Sequence, residues 1–181
     1  MSNLTRIMIN KSFKIFSGQN VAFSLNITNE DLLNQTFIDF LEAKQKLYRI
    51  DPALVTFEIL EDIIISDVNR GPLQNLHVLK KMGYLLALDD FGSDRSNFNR
   101  LESLGVDFLK IDGQFIKGID TNPRNQDIVE SIASMAKKIG MQVIAEYVSN
   151  EAEFETVKKL GIDYSQGYFF NAPLQLPMKD A

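Results

Sequence analysis

Apolar residues along the chain recur with two different periods. Short runs of strand length, at residues 21–26, 55–60, 84–89, 108–111, 142–146 and 164–170, alternate with longer segments in which apolar side chains return every three or four positions. Each short run is predicted as a strand and each longer segment as helix. One helix opens with Asn122 as N-cap and Pro123 at the first helical position, and carries Ile128, Ile132, Met135 and Ile139 on its apolar face. The next pairs Asn150 at the N-cap with Glu153 at N3 and is expected to bury Phe154, Val157 and Leu160. A leading helix, with Leu4, Ile7, Met8, Phe13 and Phe16 at its apolar positions, precedes the first strand.

Gly83, Gly105, Gly140 and Gly161 each follow a helical segment and precede a strand, where a left-handed C-terminal cap favours glycine. Five or six residues beyond each comes a polar group: Asp89, Lys110, Glu146 and Gln166 in turn. Alternating β and α units at this spacing predict an α/β fold with parallel strands and right-handed crossovers. Such folds bind ligands at the carboxyl ends of the strands. A closed barrel needs eight units and about 250 residues, whereas this chain has 181 residues and shows six units. The expected fold is a TIM-like (β/α) barrel, incomplete with about six β/α units; an open doubly wound sheet is the alternative.

The strand ends collect Asn26, Glu58, Asp89 with Asp90, Lys110, Glu146 and Gln166. Carboxylate and amide oxygens in this number suit hard divalent cations such as Mg2+ and Mn2+. Two such ions can clamp a phosphoryl group, and a nearby lysine can stabilise the charge that grows on its oxygens. The chemistry suggested is metal-assisted phosphoester hydrolysis. Plainer readings stand beside it. Asn26 and Asp90 fit turn or N-cap positions, and Lys110 with Glu146 fits a structural ion pair. Adjacent carboxylates repel, so Asp89-Asp90 is the more telling feature, tolerated where a cation sits between them. A Schiff-base aldolase is a further reading, since a barrel strand end is where such lysines are found.

Composition narrows the classes. The absence of cysteine and the single His77 exclude disulfides, zinc-thiolate sites and any site drawing two histidines from one chain. His77 is read as a surface or packing residue. A net charge of −5 without a clustered basic excess argues against DNA or RNA as partner. No run approaches the roughly 18 to 20 apolar residues of a membrane span, and the first six residues lack a secretory pattern. A cytoplasmic location is expected, so the Asn-x-Thr matches at Asn3, Asn26 and Asn34 are read as chance.

Leu88-Asp-Asp-Phe-Gly92, Phe108-Leu-Lys-Ile-Asp112, Val143-Ile-Ala-Glu-Tyr-Val148 and Ser165-Gln-Gly-Tyr168 resemble successive motifs of the EAL-domain phosphodiesterases, which hydrolyse cyclic di-GMP. Phe23-Ser-Leu-Asn-Ile-Thr28 and Phe57-Glu-Ile-Leu-Glu61 resemble earlier strands of that family, so residues 1–181 read as a single EAL-like domain, the C-terminal three quarters of its barrel. The resemblance implies a TIM-like barrel, two Mg2+ or Mn2+ ions and cleavage of cyclic di-GMP to linear pGpG. It implies Asn26, Glu58, Asp89 and Asp90 as metal ligands, and Lys110 as the residue that positions or activates water. Glu146 would assist the metal and water, Gln166 would hold a nearby polar position, and Glu61 would anchor the loop after Asp90. Substrate-binding residues remain unassigned.

The chain departs from the family in five respects. The Glu-Ala-Leu signature and the arginine that follows it are absent, as are the first strands. The loop usually reading Thr-Gly-Tyr-Ser-Ser-Leu is Ser93-Asp-Arg-Ser-Asn-Phe98. Tyr147-Val-Ser149 stands where Gly-Val-Glu is frequent. The chain therefore reads as part of a phosphodiesterase whose remaining strands and signalling domains lie upstream, or as an inactive module that binds cyclic di-GMP or a protein. Loss of one metal ligand is expected to lower activity by a power of ten or more. Unpaired strand edges near residues 21–26 and 164 favour a homo-oligomer.

Overall fold

A computed structural model describes residues 1–60, 70–92 and 105–173. Among these residues six strands alternate with helices. The described residues divide into two compact units, one within residues 1–87 together with residue 105 and one made of residues 88–92 and 106–173. The strand β3, Leu85–Phe91, contributes to both.

In the first unit, α1 (Asn3–Phe16) is capped by Ser2, whose hydroxyl accepts from the Thr5 N–H at 3.1 Å. It buries Thr5, Ile9 and Phe13, a stripe at i, i+4 and i+8, and leaves Leu4, Ile7 and Met8 exposed. The expected apolar face therefore mixes two faces of the helix, because 100° per residue sets Leu4 and Met8 well away from Ile9 and Phe13. Strand β1 (Phe23–Asn26) pairs in parallel with β2 (Val55–Leu60), in a register that sets Asn26 opposite Glu58. It starts two residues later than expected; Val21 stays exposed, and Phe23 anchors the strand by stacking on Phe16 at 4.4 Å. Val55, Phe57 and Ile59 alternate into the core, where Phe57 meets Phe37 and Tyr84.

Two short helices follow β1, α2 (Asn29–Leu33) and α3 (Phe37–Tyr48). Asp31 in α2 is fully buried. It accepts from the Ser2 N–H at 2.7 Å, the Thr5 hydroxyl at 2.7 Å, and the Thr28 N–H and hydroxyl at 3.1 and 2.9 Å. Burial alone would raise its pKa, but these four donors outweigh it and hold the carboxyl below the ordinary range. One side chain thereby joins the start of α1 to the start of α2. Helix α4 (Arg70–Lys81) carries His77 on its exposed side and ends at Gly83, φ +94°, with the Tyr84 N–H returning to the Leu79 carbonyl.

In the second unit, β4 (Phe108–Ile111), β5 (Gln142–Ala145) and β6 (Tyr164–Ser165) pair in parallel. After β4 come the short helix α5 (Gly113–Ile116) and then α6 (Pro123–Lys138), capped by Asn122 as its sequence implies. The buried line of α6 is Val129, Ala133 and Ala136; Ile128, Ile132, Met135 and Ile139 are half-buried flanks. Small residues on the central line let the helix approach closely, so the large ones pack at its sides. In α7 (Glu151–Lys159) Asn150 caps the Glu153 N–H at 3.0 Å. The Glu153 side chain is buried and accepts at 2.8 Å from the Gly118 N–H, the Ser149 N–H and the Ser149 hydroxyl. Burial pushes its pKa up, and these bonds pull it further down. Phe154 and Leu160 are half-buried beside the buried Val157. Strand β6 is shorter than the expected run to residue 170, because the chain turns at Gly167 with a Phe170 N–H to Gly167 carbonyl bond.

Asp31 and Glu153 have folded-state pKa values below their unfolded ones. Their stabilisation is present above about pH 4, the unfolded value, and is lost as pH falls toward the folded values. In urea melts between pH 7 and pH 2.5, wild-type stability should fall with acid. Asp31→Asn and Glu153→Gln should each start lower at pH 7 and flatten that dependence; parallel pH profiles would refute it.

Candidate metal and phosphate site

The parallel register sets Ile111 beside Ala145 and Ala145 beside Ser165. The next residues on β5 and β6, Glu146 and Gln166, therefore emerge side by side, and the Gln166 amide donates to Glu146 Oε1 at 2.6 Å. Lys110 precedes Ile111 on β4 and is buried. Its ammonium lies 2.8 Å from Asp89 Oδ1 and 3.0 Å from Glu146 Oε1. Asp89 comes from the end of β3, where Asp90 takes φ +56° and donates its N–H to Asp89 Oδ1 at 3.2 Å. That left-handed step swings Asp90 out of strand geometry.

One carboxylate oxygen from each of Asp89, Asp90 and Glu146 lies within 4.8 Å of the others. Ligand oxygens around Mg2+ at about 2.1 Å stand roughly 3 to 4 Å apart, so a contraction of about 1 Å suffices. Three carboxylates and the Lys110 ammonium leave a net charge of −2, the charge one divalent cation neutralises. The Asp90 carboxyl is pushed up from the ordinary range by burial first, then by repulsion from Asp89 and Asp112, with Lys110 opposing. Donor type, spacing and charge all fit a hard divalent cation.

The cluster holds the sequence candidates Asp89, Asp90, Lys110, Glu146 and Gln166 together. In the first unit, Asn26 and Glu58 are register partners at adjacent strand ends, Asn26 exposed and Glu58 half-buried. Glu61 and the loop Ser93-Asp-Arg-Ser-Asn-Phe98 lie outside the described residues. Lys110, ion-paired on two sides, is placed as a cation, whereas an aldolase needs a free amine. Three site residues escape sequence reasoning. Asp112 caps α5 through the Gln114 N–H at 2.6 Å and adds negative potential at Asp90. Tyr147 and Lys117 line a cavity of about 580 Å³ that also includes Glu146. The signal for Tyr147 is its position, where glycine is frequent in the resembled motif.

A family model described as EAL domain matches residues 1–173. The chain belongs to the EAL domain family. It is 32% identical over 181 residues to the cyclic di-GMP phosphodiesterase PdeB of Shewanella oneidensis, covering 97% of this chain and 21% of that protein. It is 36% identical over 154 residues to the probable cyclic di-GMP phosphodiesterase PdeA of Escherichia coli, covering 85% of this chain and 21% of that one. The chain thus spans 21% of the length of each of these curated relatives. The crystal structure of the EAL domain of Mycobacterium smegmatis DcpA superposes with a TM-score of 0.86 at 28% identity, over 95% of this chain and 80% of that one. The likeness decides between the two expected architectures in favour of the TIM-like EAL fold, with six strands among the described residues.

Between Glu146 and Gln166 the backbones also touch. The Val148 N–H donates to the Gln166 carbonyl at 3.0 Å, and the Phe169 N–H donates to the Val148 carbonyl at 3.1 Å. A Cβ on Gly167 would collide with the Val148 backbone oxygen and nitrogen. Gly167→Ala should therefore separate the two segments and destabilise by about 1–3 kcal/mol, lowering Tm by several degrees. Thermal denaturation checks this, and an unchanged Tm refutes the close approach.

Proposed function

We propose that this chain carries a metal-dependent phosphodiesterase site that hydrolyses cyclic di-GMP to linear pGpG in bacterial second-messenger signalling. The observation that supports it most is Lys110 held between Asp89 and Glu146, with Asp90 completing three convergent carboxylates, in an EAL-family chain whose relatives are named for this reaction.

Asp89, Asp90 and Glu146 would hold Mg2+ or Mn2+, and the resemblance extends metal-ligand roles to Asn26 and Glu58 and a loop-anchoring role to Glu61. A bound cation would supply Lewis-acid polarisation of the phosphoryl oxygens and a more acidic water. Lys110, held by Asp89 and Glu146, would bring its positive charge to the water or to a phosphoryl oxygen. Gln166 fixes Glu146 Oε1, so that Glu146 orients Lys110. In the net reaction the water oxygen bonds to phosphorus, the bond from phosphorus to the 3′ oxygen breaks, and a proton ends on that 3′ oxygen. The phosphate remains on the 5′ carbon of the linear product.

We read residues 1–181 as one EAL-like domain of a longer cytoplasmic signalling protein. Among the described residues no helix is long and apolar enough to cross a membrane. The exposure of Leu4, Ile7 and Met8 on α1 supports a homo-oligomer. Light scattering at micromolar concentration should give a multiple of the 20.5 kDa chain mass; a monomeric mass removes that part.

With cyclic di-GMP and Mg2+ or Mn2+, chromatography should show pGpG, abolished by EDTA and reduced at least a hundredfold in Lys110→Met. Mn2+ titration should show weaker binding in Asp89→Asn than in wild type, independently of turnover. Product formed in EDTA, or a Lys110→Met enzyme as fast as wild type, refutes the mechanism. Binding of cyclic di-GMP without turnover, indifferent to chelator, establishes the inactive module instead.

A further inference from the structure

Directly after Glu146, Tyr147 takes φ +59°. This is the left-handed region, which glycine occupies freely and which a bulky side chain rarely adopts. A backbone that must turn here is served best by glycine. The tyrosine is nevertheless 57% exposed, so core packing does not account for the ring either.

The surroundings hold the ring firmly. A Cβ on Gly113 would lie 2.5 Å from Tyr147 Cδ2 and 2.8 Å from Cγ, so only glycine at 113 lets the ring lie against α5. One turn along, the Lys117 ammonium sits 4.8 Å from the ring centroid. An exposed ring in a disfavoured backbone conformation, fixed by a glycine and a cation, is arranged to present a surface.

That surface lines the cavity of about 580 Å³ shared with Lys117, Glu146, Ser149, Gln166 and Tyr168. Tyr168 adds a second, 75% exposed ring. Flat aromatic faces suit a nucleobase of any sequence, and an ammonium with amide and hydroxyl groups suits the O6 and N7 acceptors of a purine. Because Glu146 belongs both to this cavity and to the carboxylate cluster, a nucleotide whose phosphate lies at the cluster can carry its base here.

We infer that Tyr147 is an affinity-determining residue, the platform on which one guanine base of the cyclic dinucleotide stacks. The inference rests on the function proposed above. It places the base, which the cluster alone does not.

The test is calorimetric titration of cyclic di-GMP in Ca2+, with chromatography as a check for product, on wild type, Tyr147→Gly, Tyr147→Asn and Tyr147→Phe. Glycine and asparagine both accept the left-handed backbone, so Tm should be unchanged or raised in Tyr147→Gly. Both should bind about tenfold more weakly than wild type, the usual loss for one stacked base, while Tyr147→Phe stays within about twofold. In Mg2+ the same loss should appear in KM, with kcat little altered. If Tyr147→Gly and Tyr147→Asn bind as tightly as wild type, the platform is refuted while the phosphodiesterase reading stands. If wild type does not bind cyclic di-GMP at all, both fall together.

Discussion

Lys110 is a cation set between Leu109 and Ile111 in a buried strand, and an ammonium in that position is tolerated only with counter-charges brought to it. Asp89 from β3 and Glu146 from β5 supply them, at 2.8 and 3.0 Å. The requirement fixes more than two contacts. It holds the ends of β3 and β5 to β4, sets the direction in which both carboxylates point, and leaves Glu146 Oε1 able to accept from Gln166 on β6. Four successive strand ends of the second unit are thus joined by one buried charge.

What continues past those ends is governed by backbone geometry. Asp90 and Tyr147 both follow a carboxylate that pairs with Lys110, and both adopt a left-handed conformation, at φ +56° and +59°. At Asp90 the step falls inside β3, one residue before its end at Phe91, and at Tyr147 it falls two residues past the end of β5. At Asp90 the turn delivers a third carboxylate to the cluster; at Tyr147 it delivers an aromatic ring to the neighbouring cavity. Gly167, which also lines that cavity, lets the β6 segment lie against the Val148 peptide.

The strands are legible in the sequence because they are short apolar runs, four of them preceded by a glycine, and residues 55–60 and 108–111 match β2 and β4 in full. Helix faces are less legible. Thr5 is buried because its hydroxyl reaches Asp31 across 26 residues, and Ala133 and Ala136 are buried because the helix approaches closely there; neither cause is local. Lys110 and Glu146 stand out in the site as charges inside hydrophobic runs, and Asp89 with Asp90 as adjacent like charges. Tyr147 shows in the sequence only as a departure from the resembled motif, where glycine is frequent, and that departure says nothing of a role. Its φ angle, its exposure and the space left by Gly113 supply the rest.

A structural ion pair remains a fair description of Lys110 with Glu146 taken alone, because a buried pair of that kind is close to neutral in stability. The third and fourth charges change the conclusion. Adding Asp89 gives Lys110 a second partner; adding Asp90 brings a carboxylate whose pKa rises through burial and through repulsion by Asp89 and Asp112. A fold selected for stability alone gains nothing from that arrangement, since replacing Asp90 by a neutral residue would relieve the repulsion. Excess negative charge in a partly buried cluster suits a place where a cation is to be captured. On the function proposed above, a bound cation would offset the repulsion at Asp90, and a stacked base would offset the left-handed backbone of the tyrosine next to Glu146.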